Sequence, residues 1–222
     1  MRYFPVFLDL TSKTCLVVGA GPVGRRKIST LKKSCAGSIT VIDPGSVKEP
    51  LLEDESIQLV NRVFKPGDVE GCHLVFACTA DHGTNQQVVQ ACRERNVWCN
   101  SATDPDQGDI VLPAVLERGD LLLAVSTCGA SPALSARVKK ELASRYGPEY
   151  ALLTTLMSRV RKLVLPLGLP QADNQKIFHA ILDSHAAEIL KSGDREGLQN
   201  LLQDLLPAGT HKHIQEMTHA LF

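Results

Sequence analysis

Three glycines near the start of the chain form the pattern most directly suited to binding a cofactor. Gly19, Gly21 and Gly24 follow the apolar run Cys15–Val18 and open a predicted helix. We expect Gly19 to allow a tight turn, Gly21 to let the backbone approach a pyrophosphate, and Gly24 to let the helix pack closely. The helix N-terminus would then face the phosphates. The predicted cofactor-binding residues of this turn are Gly19, Gly21, Pro22, Val23 and Gly24; the alternative is a turn that binds nothing.

An acidic residue ends the second predicted strand. Asp43 lies nineteen residues after Gly24 and precedes Pro44, which favours an extended backbone at Asp43. A carboxylate at this place can accept hydrogen bonds from ribose hydroxyls, and it would repel a 2′-phosphate. The sequence therefore predicts NAD rather than NADP as the cofactor.

A polar loop follows the fourth predicted strand. It contains Thr79 and Asp81. Ligands of doubly wound sheets lie at the carboxyl ends of the strands, so we expect both residues near the ribose or the nicotinamide. The alternative is a plain polar turn that caps a helix beginning near Thr84.

The elements that would position these residues alternate between strand and helix up to about Pro113. This rhythm predicts an α/β fold, a Rossmann-type parallel sheet with helices on both faces. The predicted strands are Cys15–Val18, Ser38–Ile42, Ile57–Phe64, His73–Cys78 and Val97–Asn100, and the predicted helices are Pro22–Lys33 and Thr84–Arg95.

The pattern changes after residue 113. Ile110–Leu116 and Leu121–Ser126 flank a predicted hairpin turn, and a helix from Pro132 to Tyr146 follows the capping residue Ser131. Everything beyond looks helical, with predicted helices at Ala151–Leu165, Asn174–Leu190, Arg195–Leu206 and Ile214–Leu221. The predicted layout is an NAD-binding Rossmann domain (1–113), a hairpin-plus-helix dimerisation segment (114–147) and a small all-α C-terminal domain (148–222).

Composition limits the binding partners and the cellular compartment that we expect for this protein. Lys plus Arg and Asp plus Glu are balanced at 24 each, which gives no argument for a nucleic-acid or membrane partner. We expect no secretory signal in residues 1–7 and no membrane span. The seven cysteines are odd in number and lack C-x-x-C spacing, which favours free thiols in a reducing cytoplasm.

Five motifs in order resemble those of the precorrin-2 dehydrogenase family, which includes the N-terminal half of siroheme synthases. The similarity covers about Tyr3 to Tyr146. Its motifs are FPVFLDL, VVGAGPVGRRK, FACTADHGTNQQV, CNSATDPDQGDIVLPA and the segment from Leu121 to Leu142.

The resemblance implies an NAD-dependent oxidation of precorrin-2 to sirohydrochlorin by a homodimer, with the hairpin in the dimer interface. It also implies that the methyltransferase of fused siroheme synthases is absent. The loop before the helix at Pro132 is a natural site for substrate carboxylates, because it leads into a helix N-terminus. The candidate substrate-binding residues are Asn100, Ser126, Thr127, Ser131 and Arg137.

One position departs from the family pattern. The family's acid–base aspartate lies three residues after an asparagine, and here Asn100 is followed at that distance by Thr103. Threonine is no base at neutral pH without activation. Asp104 is the next residue, so the candidate catalytic residues are Asp104 and Thr103. Three possibilities stay open: Asp104 takes the aspartate's role, water accepts the proton, or the activity is altered.

Two further functions therefore stand beside NAD-dependent dehydrogenation. Some family members also insert ferrous iron into sirohydrochlorin, so a bifunctional ferrochelatase is one alternative. A non-catalytic NAD and tetrapyrrole carrier is the other, motivated by Thr103. No metal site is predicted, because Asp104, Asp106 and Asp109 with a nearby histidine match no standard ligand spacing.

Overall fold

A buried strand leads directly into the glycine-rich turn and the first helix. The computed structural model of the chain describes residues 2–45, 50–219 and 221. Strand β1 (Thr14–Val18) is followed by helix α1 (Pro22–Lys33), with Pro22 at the first helical position. Proline is suited to that position because its fixed φ is already helical and its missing N–H would have no partner within the helix.

In the part of the first unit, Met1–Leu112, that the structure describes, five parallel strands form the sheet. The order β3-β2-β1-β4-β5 places a topological switch point between β1 and β4, where such sheets bind their ligands. Apolar side chains are buried on both faces of the sheet, as parallel sheets require. The predicted α/β Rossmann-type fold is confirmed. The remaining elements are β2 (Ser38–Ile42), β3 (Ile57–Val60), β4 (Leu74–Ala77), β5 (Trp98–Ser101) and α2 (His82–Arg95).

Two predicted boundaries in this unit differ from the structure by two residues or more. The strand predicted for Ile57–Phe64 ends at Val60, where pairing with β2 stops opposite Ile42. The backbone N–H of Arg62 then donates to Val60 O at 3.0 Å and turns the chain away. Helix α2 begins at His82, two residues before the predicted start, because Asp81 caps it.

The second unit, Pro113–Phe222, opens with an antiparallel hairpin and a helix. Strands β6 (Ala114–Arg118) and β7 (Leu121–Val125) are joined by a turn with Gly119 at φ +57°, and α3 covers Pro132–Arg145. The strand predicted from Ile110 begins only at Ala114. Ile110 instead donates its backbone N–H to Cys99 O at 3.2 Å.

Within the described residues of this unit, five α-helices surround their own apolar core, which includes Leu156, Val160, Leu198 and Leu202. The prediction of one helix over Asn174–Leu190 is wrong: two helices are separated at Ser184. The Ser184 hydroxyl donates to Ile181 O at 2.7 Å and accepts from the N–H of Ala186, so it bonds to the backbone of both helices at the break. The predicted last helix reaches position 220, which lies outside the described residues. The helices are α4 (Glu149–Val164), α5 (Gln171–Leu182), α6 (Ala186–Ser192), α7 (Arg195–Leu205) and α8 (Ile214–His219).

Candidate functional site

The glycine-rich turn lies at the carboxyl end of β1, and steric contacts explain two of its glycines. Gly19 has φ +99°, and a Cβ there would come within 2.8 Å of the backbone C and O of Cys78. A Cβ on Gly24 would overlap the carbonyl oxygen of Gly19. Side chains at these two positions are excluded by the protein's own backbone, so both glycines are required for the turn to form.

Gly21 differs from the other two glycines. Apart from its chain neighbours, no described atom lies within 4 Å of the position that its Cβ would take. Gly21 also caps α1, and within the described residues no side chain bonds to the free N–H groups of this helix end. Open space beside unpartnered N–H donors at a helix N-terminus fits a bound phosphate group. Pro22 and Val23 form the first helical turn there, and Val23 packs its side chain against the apolar core.

Asp43 fastens the turn from the end of β2. Its carboxylate accepts the backbone N–H of Ala20 at 2.7 Å and that of Gly45 at 2.8 Å. A carboxylate has about four lone-pair directions, so two further hydrogen bonds can be accepted. Asp43 can therefore hold the glycine-rich turn and accept ribose hydroxyls at the same time.

Thr79 follows β4 and lies beside this turn. Its backbone N is 2.8 Å from the Cβ position of Gly19. Thr79 also donates its N–H to Asn85 Oδ1 at 3.1 Å. Its hydroxyl lies within hydrogen-bond distance of two acceptors, Asn85 Oδ1 at 2.9 Å and Asp81 O at 2.8 Å. The structure thus brings the loop after β4 next to the glycine-rich turn, on the same edge of the sheet.

Asp81 is engaged at the start of α2. Its carboxylate accepts the N–H of Thr84 at 2.7 Å and the Thr84 hydroxyl at 2.6 Å. The hydrogen bonds from Thr84 lower the pKa of Asp81. The Asp81 side chain therefore caps helix α2, as the alternative to cofactor binding predicted.

Thr103 and Asp104 follow β5, the neighbour of β4. The hydroxyl oxygen of Thr103 accepts a hydrogen bond from Asn85 Nδ2 at 3.2 Å. Asp104 donates its backbone N–H to Ser101 Oγ at 3.2 Å, and its Oδ2 accepts from Gln107 at 2.8 Å. The two candidate catalytic residues thus have different surroundings: Thr103 bonds to helix α2, and Asp104 keeps a half-buried carboxylate within its own loop.

Asn100 lies one residue before the end of β5. It is buried, and its Nδ2 donates to Ile110 O at 2.7 Å. Asp109 adds a second link, because its Oδ2 accepts the N–H of Cys99 at 3.1 Å. These contacts hold the segment after β5 against the edge strand.

The other substrate-binding candidates lie in the second unit. Thr127 and Ser131 bond to each other, since Ser131 N donates to Thr127 Oγ1 and Thr127 Oγ1 donates to Ser131 O, both at 3.0 Å. Ser131 also caps α3 by accepting the N–H of Leu134 at 3.2 Å. Ser126 accepts the N–H of Cys128 at 3.0 Å.

The loop in front of α3 therefore has a fixed shape. Cys128 and Gly129 both have positive φ, +53° and +90°, and the hydroxyl bonds hold this conformation. Arg137, one turn into the helix, is exposed and pairs with Glu141 at 3.0 Å.

Sequence reasoning gave no role to Asn85, which bonds to both loops. A signal was present: Asn85 shares a helical face with the buried residues Val88, Val89 and Cys92, so it is a polar residue on an apolar stripe.

No described helix is long and apolar enough to cross a bilayer. Within residues 2–45, 50–219 and 221, no three or more histidine, cysteine or acidic side chains converge in a way that would hold a metal ion.

Two family models match the chain in succession. Residues 6–114 match the model described as putative NAD(P)-binding, and residues 118–145 match the central region of the sirohaem biosynthesis protein. A siroheme synthase of Thioalkalivibrio sulfidiphilus is 31% identical over 94% of this chain, and one of Methylococcus capsulatus is 33% identical over 96%. The chain spans 43% and 45% of the length of these two curated relatives.

A solved structure is similar over nearly its whole length. The precorrin-2 dehydrogenase SirC superposes with a TM-score of 0.74 at 29% identity, covering 90% of this chain and 98% of the other. The chain belongs to the siroheme synthase and precorrin-2 dehydrogenase family. Within this siroheme family, the first unit is its NAD(P)-binding domain. The family's central region spans the hairpin turn and α3, including the loop that contains Ser126, Thr127 and Ser131.

Proposed function

We propose that the chain oxidises precorrin-2 to sirohydrochlorin with NAD as the hydride acceptor. The observation that carries this proposal is the turn from Gly19 to Gly24, where open space at Gly21 adjoins unpartnered N–H groups of α1. The bound nicotinamide supplies hydride acceptance. The similarity to SirC, over 98% of that chain, supports the choice of reaction.

We propose NAD rather than NADP because of Asp43. Its negative charge stands at the end of β2, where the adenosine ribose lies in Rossmann-type domains. The carboxylate is fixed by Ala20 N and Gly45 N, so it does not turn away from a 2′-phosphate. Thr79, beside the turn, and Asp81, through its loop, complete the proposed cofactor site.

Asp104 is the proposed proton acceptor. The oxidation of precorrin-2 to sirohydrochlorin removes a hydride, which bound NAD⁺ would accept, and a proton, which a base must take. Asp104 has a half-buried carboxylate at the sheet edge, and Gln107 donates to only one of its oxygens. Thr103 is unsuited to this role because its hydroxyl lacks an activating base and bonds to Asn85.

The substrate is rich in carboxylates and needs hydrogen-bond donors and positive charge. We propose that the loop Ser126–Ser131 contributes donors at the N-terminus of α3, with Thr127 and Ser131 fixing its shape. Arg137 is the proposed cationic partner on the same helix. Asn100 is proposed to contribute from the end of β5.

A homodimer is proposed on the basis of the hairpin. The paired residues Val115–Ala124 and Glu117–Leu122 project to one face. Val115 is 41% exposed and Leu122 is 43% exposed. A strand face of this kind, apolar apart from the exposed Glu117, is stabilised when a second copy covers it.

We propose a reducing compartment such as the cytoplasm. All seven cysteines are free, and four of them are buried: Cys15, Cys78, Cys92 and Cys99. Buried free thiols are common where thiols stay reduced.

The proposal is tested by incubating the purified protein with precorrin-2 and NAD⁺ and following NADH and sirohydrochlorin together. Equal amounts of both products are expected, with much slower turnover when NADP⁺ replaces NAD⁺. Binding of both ligands without turnover would identify a carrier instead. A rate equal to that of the protein-free control would reject the proposed dehydrogenase.

A further inference from the structure

Asn85 is a fully bonded polar side chain between the two loops at the carboxyl ends of β4 and β5. It is 1% exposed and lies on the buried face of α2. Its Oδ1 accepts the N–H and the hydroxyl of Thr79, and its Nδ2 donates to Thr79 O at 3.0 Å and to Thr103 Oγ1 at 3.2 Å. The side chain therefore joins the loop beside the glycine-rich turn to the loop that precedes Asp104.

Of the hydrogen bonds that Asn85 makes, the one to Thr103 is the bond nearest in sequence to the proposed proton acceptor, Asp104. Thr103 is otherwise exposed, and its hydroxyl oxygen is turned towards α2. Asp104 follows directly, with its N–H bonded to Ser101 Oγ and its Oδ2 bonded to Gln107. The backbone entering Asp104 is thus held from helix α2 by Asn85, and the carboxylate is held within its own loop by Gln107.

We propose that Asn85 is a positioning residue which acts through the Thr103 hydroxyl to hold the Asp104 carboxylate in place for the reaction. This inference rests on the proposed function for the role of Asp104. The threonine that replaces the family's aspartate is then a hydrogen-bonding part of the scaffold. Displacement of a reacting group by about 1 Å can cost up to about 100-fold in rate, so even a weak tether is worth about tenfold here.

Three variants separate this role from a general loss of stability. Thr103→Val removes the hydroxyl and keeps the shape, and Thr103→Ser keeps the hydroxyl. Asn85→Ala removes the bonds to both loops. Gln86→Ala is the matched control, because Gln86 is an exposed neighbour on the same helix.

Thr103→Val is expected to lower kcat about tenfold while leaving the Kd for NAD and the Tm close to those of the wild type. Thr103→Ser and Gln86→Ala should retain wild-type kcat. Asn85→Ala should lower kcat and also weaken NAD binding, because it releases Thr79. The double variant of Asn85→Ala and Thr103→Val should resemble Asn85→Ala alone, since the two side chains act through one bond.

Two results would overturn the proposal: a wild-type kcat for Thr103→Val, or a double variant whose losses equal the product of the two single losses. A readout without turnover keeps the inference separate from the proposed function. Amide hydrogen exchange in residues 102–104 should be faster in Thr103→Val than in Thr103→Ser. If the wild type gives no NADH, the proposed function fails, and exchange together with the NAD Kd still decides whether Asn85 links the two loops.

Discussion

The carboxylate of Asp43 accepts the backbone N–H of Ala20 at 2.7 Å, so the end of β2 holds the middle of the glycine-rich turn. Ala20 lies between Gly19, which is required for the turn to form, and Gly21, the proposed contact of the pyrophosphate. In the proposed cofactor site, the Asp43 side chain therefore has two roles: it supports the turn, and it places a negative charge at the proposed ribose position.

Substitutions at Asp43 should separate these tasks. Asp43→Asn removes the charge and leaves one oxygen for the two N–H groups that the carboxylate accepts, so we expect a modest loss of Tm and a loss of discrimination against NADP. Asp43→Ala removes both acceptors and should also cost about 2 kcal/mol of unfolding free energy. Binding of NAD and NADP by calorimetry, beside thermal unfolding, measures both effects. Unchanged discrimination in Asp43→Asn would contradict the assignment.

Substitutions of Gly21 and of Gly24 should impair different properties, NAD binding in the first case and stability in the second. Gly21→Ala places a methyl group in open space, so we expect a folded protein with a Tm close to that of the wild type and NAD binding weakened at least about tenfold. Gly24→Ala forces a methyl group into Gly19 O and should destabilise the fold by about 1–3 kcal/mol. Thermal unfolding and NAD titration of both variants check this. An unchanged NAD affinity in Gly21→Ala would show that the pyrophosphate does not bind at Gly21.

Substitutions of Asp104 and of its acidic neighbour Asp106 should affect the reaction rate differently. Asp104→Asn retains an oxygen acceptor for Gln107 and loses the base, so we expect kcat to fall about 100-fold with an unchanged Kd for NAD. Asp106→Asn is the control, because Asp106 is exposed and pairs with Arg2. Steady-state rates of NADH formation compare the two. A wild-type rate in Asp104→Asn would show that Asp104 is not the proton acceptor and that water takes the proton instead.

Cysteine reactivity should follow burial. Burial raises the pKa of the Cys15 and Cys78 thiols to about 11, so little thiolate exists near neutral pH and neither should react with iodoacetamide in the native protein. Cys35 and Cys128 are exposed and should be modified first. Mass spectrometry after brief alkylation at pH 8 gives the order. In denaturant all seven should react, and rapid native labelling of Cys78 would contradict the described packing.

The exposed face of the hairpin should control oligomeric state. Leu122→Glu places a second carboxylate opposite Glu117, its cross-strand partner on this face, so we expect the dimer to dissociate at concentrations where the wild type stays paired. Leu182→Glu in α5 is the control, because Leu182 is also half exposed and lies on another element. Analytical ultracentrifugation measures the masses. A Leu122→Glu variant with the dimer constant of the wild type would place the interface elsewhere.

Local sequence pattern was sufficient for most of the strands and helices and for the glycine-rich turn. The strand before Gly19, the spacing of the glycines and the acid after β2 depend on residues close in sequence, and the structure has the strand, the turn and the Asp43 carboxylate next to one another. The prediction of one helix over Asn174–Leu190 was wrong because of a local hydrogen-bonding pattern that apolar periodicity does not show. Ser184 bonds to backbone groups on both sides of it, and no period of apolar residues reveals such a bond.

The sequence by itself determined that this chain has a parallel sheet with a dinucleotide turn, because strand, turn and helix preferences act over a few residues. Only the tertiary structure decided which way Thr103 faces and what Asn85 does. Those two residues are eighteen positions apart, and they meet because β4 and β5 are neighbours in register, from Leu74–Trp98 to Ala77–Ser101. Hydrogen bonds across neighbouring strand ends depend on that register, which the spacing of residues along one strand does not specify.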